Sequence, residues 1–319
     1  MNIDLLIDNL TNPALLFFVL GIVAVYLKSD LEIPQNSSKF ISLYLLFAIG
    51  FKGGQELSHE SFSSEIGWSM LFGIFISLII PTYTFFILKR KLNIYDAGAI
   101  AAAYGSVSAV TFVTAVSYLE SQQLALHGHM VAIMALMESP AIIIGLVLIS
   151  IFNKDENEHI SKRNAIKHSF TNGSVLLILG SLIIGYLASA KQAEGIRPFT
   201  NDLFKGFLAI FLLDMGITSG KKLKAFFSFG WFPILFSIFI PLVNGSIVAL
   251  VSASITSDVA NRFMFATLAA SASYIAVPAA MKISAPKSNP GLLLPMALAV
   301  TFPINITVGM PIYFWISSL

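Results

Sequence analysis

The chain contains no cysteine among its 319 residues. That excludes disulfides, thiolate metal sites, c-type haem and a cysteine nucleophile. Charge is scarce as well: Asp, Glu, Lys and Arg make up 11% of the sequence, against roughly 25% in a soluble domain. So few charges cannot cover a soluble globule of this size. The net charge is only +2 and no basic cluster stands out, so nothing suggests a nucleic-acid partner. Catalytic signatures are missing too. There is no Gly-x-Ser-x-Gly elbow, and His59-Glu60 lacks the second His of a zinc hydrolase. The stretch from Gly216 to Lys222 has the wrong spacing for a phosphate loop, with Lys where a Mg²⁺-binding hydroxyl belongs. These absences argue against an enzyme. The opening residues carry Asp4 and Asp8 and no base, so the first apolar segment is expected to be mature protein rather than a signal peptide.

What remains is overwhelmingly apolar: 56% of residues, including 27 Phe, with a mean hydropathy of +0.81. This is the composition of an all-α polytopic membrane protein. A spanning helix needs about 20 apolar residues. On that scale ten spans are expected, at 13–27, 38–51, 66–88, 95–118, 124–152, 171–190, 201–219, 228–253, 262–281 and 292–316. Placing the 153–168 loop in the cytoplasm puts most bases inside. Only Lys52, Lys191, Arg197, Lys205 and Arg262 then fall on the outer side. Both termini are expected outside, in a bacterial cytoplasmic (inner) membrane.

The sequence also echoes itself. Gly67-Trp68 returns as Gly230-Trp231, Gly50 with Gly53-Gly54 as Gly216 with Gly220, Ser106-Val107-Ser108 as Ser271-Ala272-Ser273, and Pro140 as Pro303. All four recur in order at nearly one offset. The expected organisation is therefore a first repeat over 1–152, a cytoplasmic linker over 153–170 and a second repeat over 171–319. Five spans per repeat is an odd number, so the second repeat must enter the membrane from the opposite side, the inverted architecture of many secondary transporters.

Two stretches carry the candidate chemistry. Gly105, Ser106, Val107 and Ser108, followed by Thr111, lie mid-way through the fourth span; Ser271, Ala272, Ser273 and Tyr274, followed by Pro278, lie mid-way through the ninth. A helix broken at either place exposes backbone N–H groups at the start of its second half, where the helix dipole favours an anion. Serine can cap that new start, and Pro278 is tolerated in a first turn. The plain alternative is close packing of helices through small residues. Glu138, next to Ser139 and Pro140, lies within an apolar span, at a cost on the order of 3 kcal/mol unless a partner or cavity receives it. Glu138 and Ser139, with a carbonyl freed by Pro140, are thus candidates for a coupling Na⁺, with Thr111 beside them, and a protonated or paired structural Glu is the alternative. Asp214 is a second intramembrane acid, with cation binding or a pair with Lys205 as its alternatives. Asn244 and Asn305 read as interhelical hydrogen-bonding amides. His127-Gly128-His129 looks metal-like, but residues two apart do not share a helix face, so an exposed helix start is the favoured reading.

These residues together resemble the sodium-dependent bicarbonate transporter family known from cyanobacteria. The resemblance covers most of the chain. It rests on Gly53-Gly54 as a turn after the second span, Gly105-Ser106-Val107-Ser108 with Thr111, Glu120, Glu138 with Pro140, Ser271-Ala272-Ser273 with Pro278, and Ser288-Asn289-Pro290. It implies ten helices in two inverted repeats, split into a core and a gate domain. It also implies a homotrimer, an elevator-like motion, and uptake of bicarbonate driven by Na⁺, with no other cofactor. Two residues depart from the family pattern: Tyr274 replaces an Asp, removing one negative ligand, and Glu138 replaces an Asp, keeping charge with a longer reach. The family's PII-like regulatory partner acts through an inter-repeat loop that is shorter here. A proton-coupled carrier of small organic anions, with Glu138 or Asp214 as proton site, and a channel are the competing readings.

Overall fold

The computed structural model describes residues 11–61, 63–153 and 173–319. The linker expected at 153–170 and the acidic opening residues therefore lie almost wholly outside the described residues. Described secondary structure is helical throughout. The helices are α1 (Pro13–Tyr26), α2 (Gln35–His59), α3 (Ser64–Leu88), α4 (Ile94–Gly105), α5 (Ala109–Ser121), α6 (Gly128–Phe152) and α7 (Gly173–Leu187). They continue with the short α8 (Ala190–Glu194), α9 (Phe204–Phe226), α10 (Trp231–Val251), α11 (Val259–Ala270), α12 (Ala276–Ser284) and α13 (Pro290–Ser317). By length and composition, six described stretches can cross a bilayer: α3, the α4–α5 stretch, α6, α9 with its lead-in turn, α10 and α13.

Local chemistry sets these boundaries. Side chains of Asn12, Ser63, Asn93 and Asp258 cap the starts of α1, α3, α4 and α11. Asn289 caps α13, and its own N–H donates to Asp96 Oδ1 at 2.6 Å, tying the start of α13 to the start of α4. Pro295, Pro303 and Pro311 each delete a donor from α13, which widens to π-turns over Met296–Thr301 and Asn305–Gly309. Outward faces are apolar at helical spacing. Trp68, Leu71, Phe75 and Ile79 line one side of α3, and Phe239, Val243, Ile247 and Leu250 one side of α10. Such faces suit lipid.

Two groups of helices pack around close backbone approaches. In the first, α1 lies against α9 and α2 against α7. A methyl on Gly21 would strike the backbone at Leu213 and Gly216, and one on Gly185 would strike the backbone of Phe51. Small residues allow such contact, which brings dispersion and backbone dipoles close where lipid offers no hydrophobic drive. In the second group, α3, α4 and α6 interlock: Gly73 faces Ile133, Gly98 faces Ile149, and Gly105 faces the Pro81 ring. There too α10 packs on α11 and α13, with Gly245 against the Tyr313 ring.

Gly53-Gly54, expected to form a turn, instead lies inside α2, which continues to His59. Their missing side chains let α6 and α7 approach, since a methyl would meet Val131 at Gly53 and the Leu182 carbonyl at Gly54. Helix continuity plus close packing outweighs the modest helix cost of glycine.

Candidate substrate and cation site

Both small-residue stretches break their helices. α4 ends at Gly105 and α5 starts at Ala109; α11 ends at Ala270 and α12 starts at Ala276. Ser106 and Ser271 follow the ends of the first halves in extended backbone. Ser108 caps α5 by accepting the Thr111 N–H at 3.2 Å. Ser273 plays the matching part for α12, accepting the Val277 N–H at 3.4 Å, and Pro278 falls in the first turn, where its missing N–H leaves nothing unsatisfied.

The two breaks cross and bond to each other. The Ser108 N–H donates to Ser271 Oγ at 3.1 Å, and the Ser273 N–H donates to the Ala103 carbonyl at 2.8 Å. The Ser271 hydroxyl in turn donates to the Leu268 carbonyl at 2.9 Å. The carbonyls left open at the end of α11 are met by amides: Asn305 Nδ2 donates to Ala270 O at 2.7 Å and Asn244 Nδ2 to Ala269 O at 3.4 Å. Both asparagines thus hold the break, as interhelical donors. On the other side, the Tyr104 hydroxyl meets Thr301 Oγ1 at 2.7 Å.

A small cavity of about 30 Å³ adjoins the crossing. Its polar lining comes from Ser108, Ser273, Tyr274 and Glu138; Val107 and Met134 add apolar wall, and Leu46 of α2 and Ile178 of α7 close it from the first helix group. A water needs roughly 10–15 Å³ measured this way, so the space suits a small ion and no large organic acid. Glu138 is 9% exposed and makes no hydrogen bond or ion pair with any described residue. Ser106, fully buried, leaves its hydroxyl without a partner among the described residues. Gly105, Ser106, Ser271, Ala272, Thr111 and Ser139 do not line the cavity. Gly105 admits Pro81, and Ser271 holds the crossing together. Thr111 and Ser139 are buried nearby in α5 and α6.

Tyr274 and Ile275 also line a second, larger cavity of about 640 Å³. This one is bordered by Lys39, Asp214, Lys221 and Lys222. Asp214 accepts a hydrogen bond from Ser38 Oγ at 2.5 Å. It does not pair with Lys205, which instead lies 3.6 Å from Glu120. Nine residues apart on one helix, Asp214 and Lys205 point to opposite faces. Asp214 thus borders the larger cavity and Glu138 the smaller, with Tyr274 and Ile275 lining both.

Sequence reasoning missed the apolar lid of Leu46 and Ile178, since two aliphatic residues in apolar spans carry no distinguishing signal. The helix start expected at His127-Gly128-His129 is there, but not the exposure of both histidines. His127 precedes α6 in extended backbone and His129 is its second residue, so helical face geometry does not govern the pair. His129 is buried rather than exposed, and Glu60 receives it at 2.7 Å. Asp258 lies 3.5 Å from His127. The Asp258 carboxylate beside it lifts the imidazole above its ordinary pKa, and the imidazole in turn holds that carboxyl below the usual carboxylate range.

Helices of spanning length with lipid-suited faces, packed around a buried polar crossing, define a multi-pass membrane protein. Over residues 13–318, nearly its whole length, the chain matches the family model of the Na⁺-dependent bicarbonate transporter superfamily, and it belongs to that superfamily. No curated protein matches it.

Proposed function

We propose that this protein is a secondary active transporter that carries bicarbonate, or a similar small monoanion, together with Na⁺. The crossing of two half-helix starts beside an unpartnered carboxylate carries the reading. An anion leaving water must replace its hydration shell. The starts of α5 and α12 supply donors and partial positive charge, with no Arg or Lys among the described residues that line the cavity. Ser106, Ser108, Ser271 and Ser273, with Gly105, Val107, Ala272 and Tyr274, form the anion region in this reading. Ser108, Ser273 and Tyr274 are the residues facing the ion. Na⁺ sits at Glu138, supported by Thr111 and Ser139. Asp214 belongs to the approach from the larger cavity. Bound Na⁺ places a positive charge between the Glu138 carboxylate and the anion and so relieves their mutual repulsion, which is the physical reason for coupling.

In this reading the chain comprises two inverted repeats, 1–152 and 171–319. The α1–α9 and α2–α7 pairings support it, because exchanging the repeats turns one pairing into the other. The group α1, α2, α7 and α9 is the gate, and the remaining long helices are the core that carries the ions past it in an elevator-like motion. Leu46 and Ile178 are the gate's lid over the site. The transporter assembles as a homotrimer in the bacterial inner membrane, with both termini outside.

Radiolabelled bicarbonate uptake into liposomes tests the function. Uptake should follow an imposed inward Na⁺ gradient and show counterflow. Uptake that ignores Na⁺ and follows a proton gradient would replace this reading with a proton-coupled carrier.

A further inference from the structure

A cluster at the end of the bundle assigned to the outside has no part in the transport reading. Glu60 follows the last residue of α2, His127 precedes α6, and His129 lies in the first turn of α6. One ligand atom from each can be chosen so that all lie within 4.8 Å of one another. Glu60 Oε2 is 2.7 Å from His129 Nδ1, and Glu60 Oε1 is 3.7 Å from His127 Nδ1. The Gly128 N–H donates to the same Oε1 at 2.7 Å, which fixes the carboxylate in place. On the far side of its ring, His127 turns Nε2 toward Asp258 Oδ2 at 3.5 Å.

We propose that Glu60, His127 and His129 form a binding site for a divalent transition metal of the zinc class. Two imidazoles and one carboxylate are the donor set such ions prefer, and they do not suit Ca²⁺ or Mg²⁺, which take oxygen ligands. With bonds of about 2.0–2.2 Å, neighbouring ligands of a tetrahedral zinc lie about 3.4 Å apart. The separations here, 2.7 Å from Oε2 to His129 and 3.7 Å from Oε1 to His127, come from the two oxygens of one carboxylate, so a bound ion takes the place of the Glu60–His129 hydrogen bond. Asp258 completes a carboxylate–histidine–metal arrangement, in which the outer carboxylate orients the ring and raises its basicity. Glu60 and Asp258 together match the ion's double charge. Three protein ligands leave the fourth position to water. His127 is 40% exposed at its side chain and Glu60 17%, so an ion can enter from solution.

The site has a mechanical consequence. Glu60 belongs to the helix group of α1, α2, α7 and α9, whereas His127, His129 and Asp258 belong to the other group. A bound ion therefore ties the two groups together at one end. Resting on the elevator reading above, external zinc is then an inhibitor that clamps the core to the gate.

Zinc chloride is titrated into the purified full chain in detergent, with heat as the readout. One Zn²⁺ should bind per chain. His127→Ala, at a half-exposed position outside the transport site, should bind at least about tenfold more weakly, and Asp258→Asn about 10- to 100-fold more weakly. Absence of binding to the folded wild type, or equal binding by His127→Ala, overturns the site and leaves an ordinary Glu60–His129 hydrogen bond. Zinc is then added outside liposomes that already show Na⁺-driven uptake. Inhibition of the wild type with His127→Ala spared supports the clamp. Binding without inhibition overturns the clamp. The binding titration needs no transport at all, so its result is independent of the function proposed above.

Discussion

Ser271 holds the crossing at both of its ends, and its replacement by alanine should be felt at a site it does not line. Its oxygen accepts the Ser108 N–H at 3.1 Å and its hydroxyl donates to the Leu268 carbonyl at 2.9 Å. Ser271 and Ser108 are 2% and 4% exposed, so water cannot readily replace the lost partner. A buried donor left unpaired costs about 1–3 kcal/mol. Ser108 is the cap of α5 and lines the small cavity, so much of that cost falls on the geometry of the proposed anion site. If it is recovered only when the site relaxes without anion, the half-saturating bicarbonate concentration rises about 5- to 150-fold. By linkage the Na⁺ requirement rises with it. Ser271→Thr keeps the hydroxyl and should stay near the wild type. The assay is initial uptake into liposomes at varied bicarbonate and fixed Na⁺, with equal protein reconstituted. A Ser271→Ala protein with unchanged half-saturation for both ions would refute the argument that this hydroxyl organises the site.

Other outcomes follow from single contacts. Glu138→Gln should raise the Na⁺ concentration for half-maximal uptake at least about tenfold, since a unit charge 4 Å from Na⁺ is worth on the order of 4 kcal/mol at a typical protein dielectric. An unaltered Na⁺ dependence would make Glu138 a structural group. Gly105→Ala drives a methyl into the Pro81 ring and should cost about 1–3 kcal/mol, visible as a lower melting temperature of the detergent-solubilised protein; an unshifted transition would contradict that close approach. The cysteine-free chain also makes topology easy to test. Glu194→Cys should react with an impermeant maleimide added to intact cells and Lys91→Cys should not, and the opposite pattern would invert the proposed orientation.

Much of this architecture was legible because it rests on strong local signals. Apolar length marks the helices. Gly, Ser and Pro278 mark the two interruptions, since an interrupted helix needs residues that cap, turn or lack a donor. That logic drew attention to Ser108, Ser273 and Tyr274, and the cost of a carboxylate in an apolar span to Glu138; the structure places all four around one cavity. The rest depends on contacts between distant segments. Gly53-Gly54 looks like a turn until α6 and α7 are seen to approach it. Asp214 finds Ser38, far away in sequence, rather than the nearer Lys205. His127 and His129 look unrelated on an ideal helix, and only the true start of α6, together with Glu60 and Asp258, makes them a cluster. Leu46 and Ile178 are ordinary aliphatic residues, and only the fold shows that they line the cavity.

The central claim is that one small anion and Na⁺ share the crossing of the two broken helices. The direct test is a high-resolution map of the protein prepared with bicarbonate and Na⁺, compared with one prepared without them. The account predicts added density between Ser108 and Ser273 beside Tyr274, with a second feature at Glu138. Density that appears instead in the larger cavity beside Lys221 and Lys222, with the crossing unchanged, would contradict it.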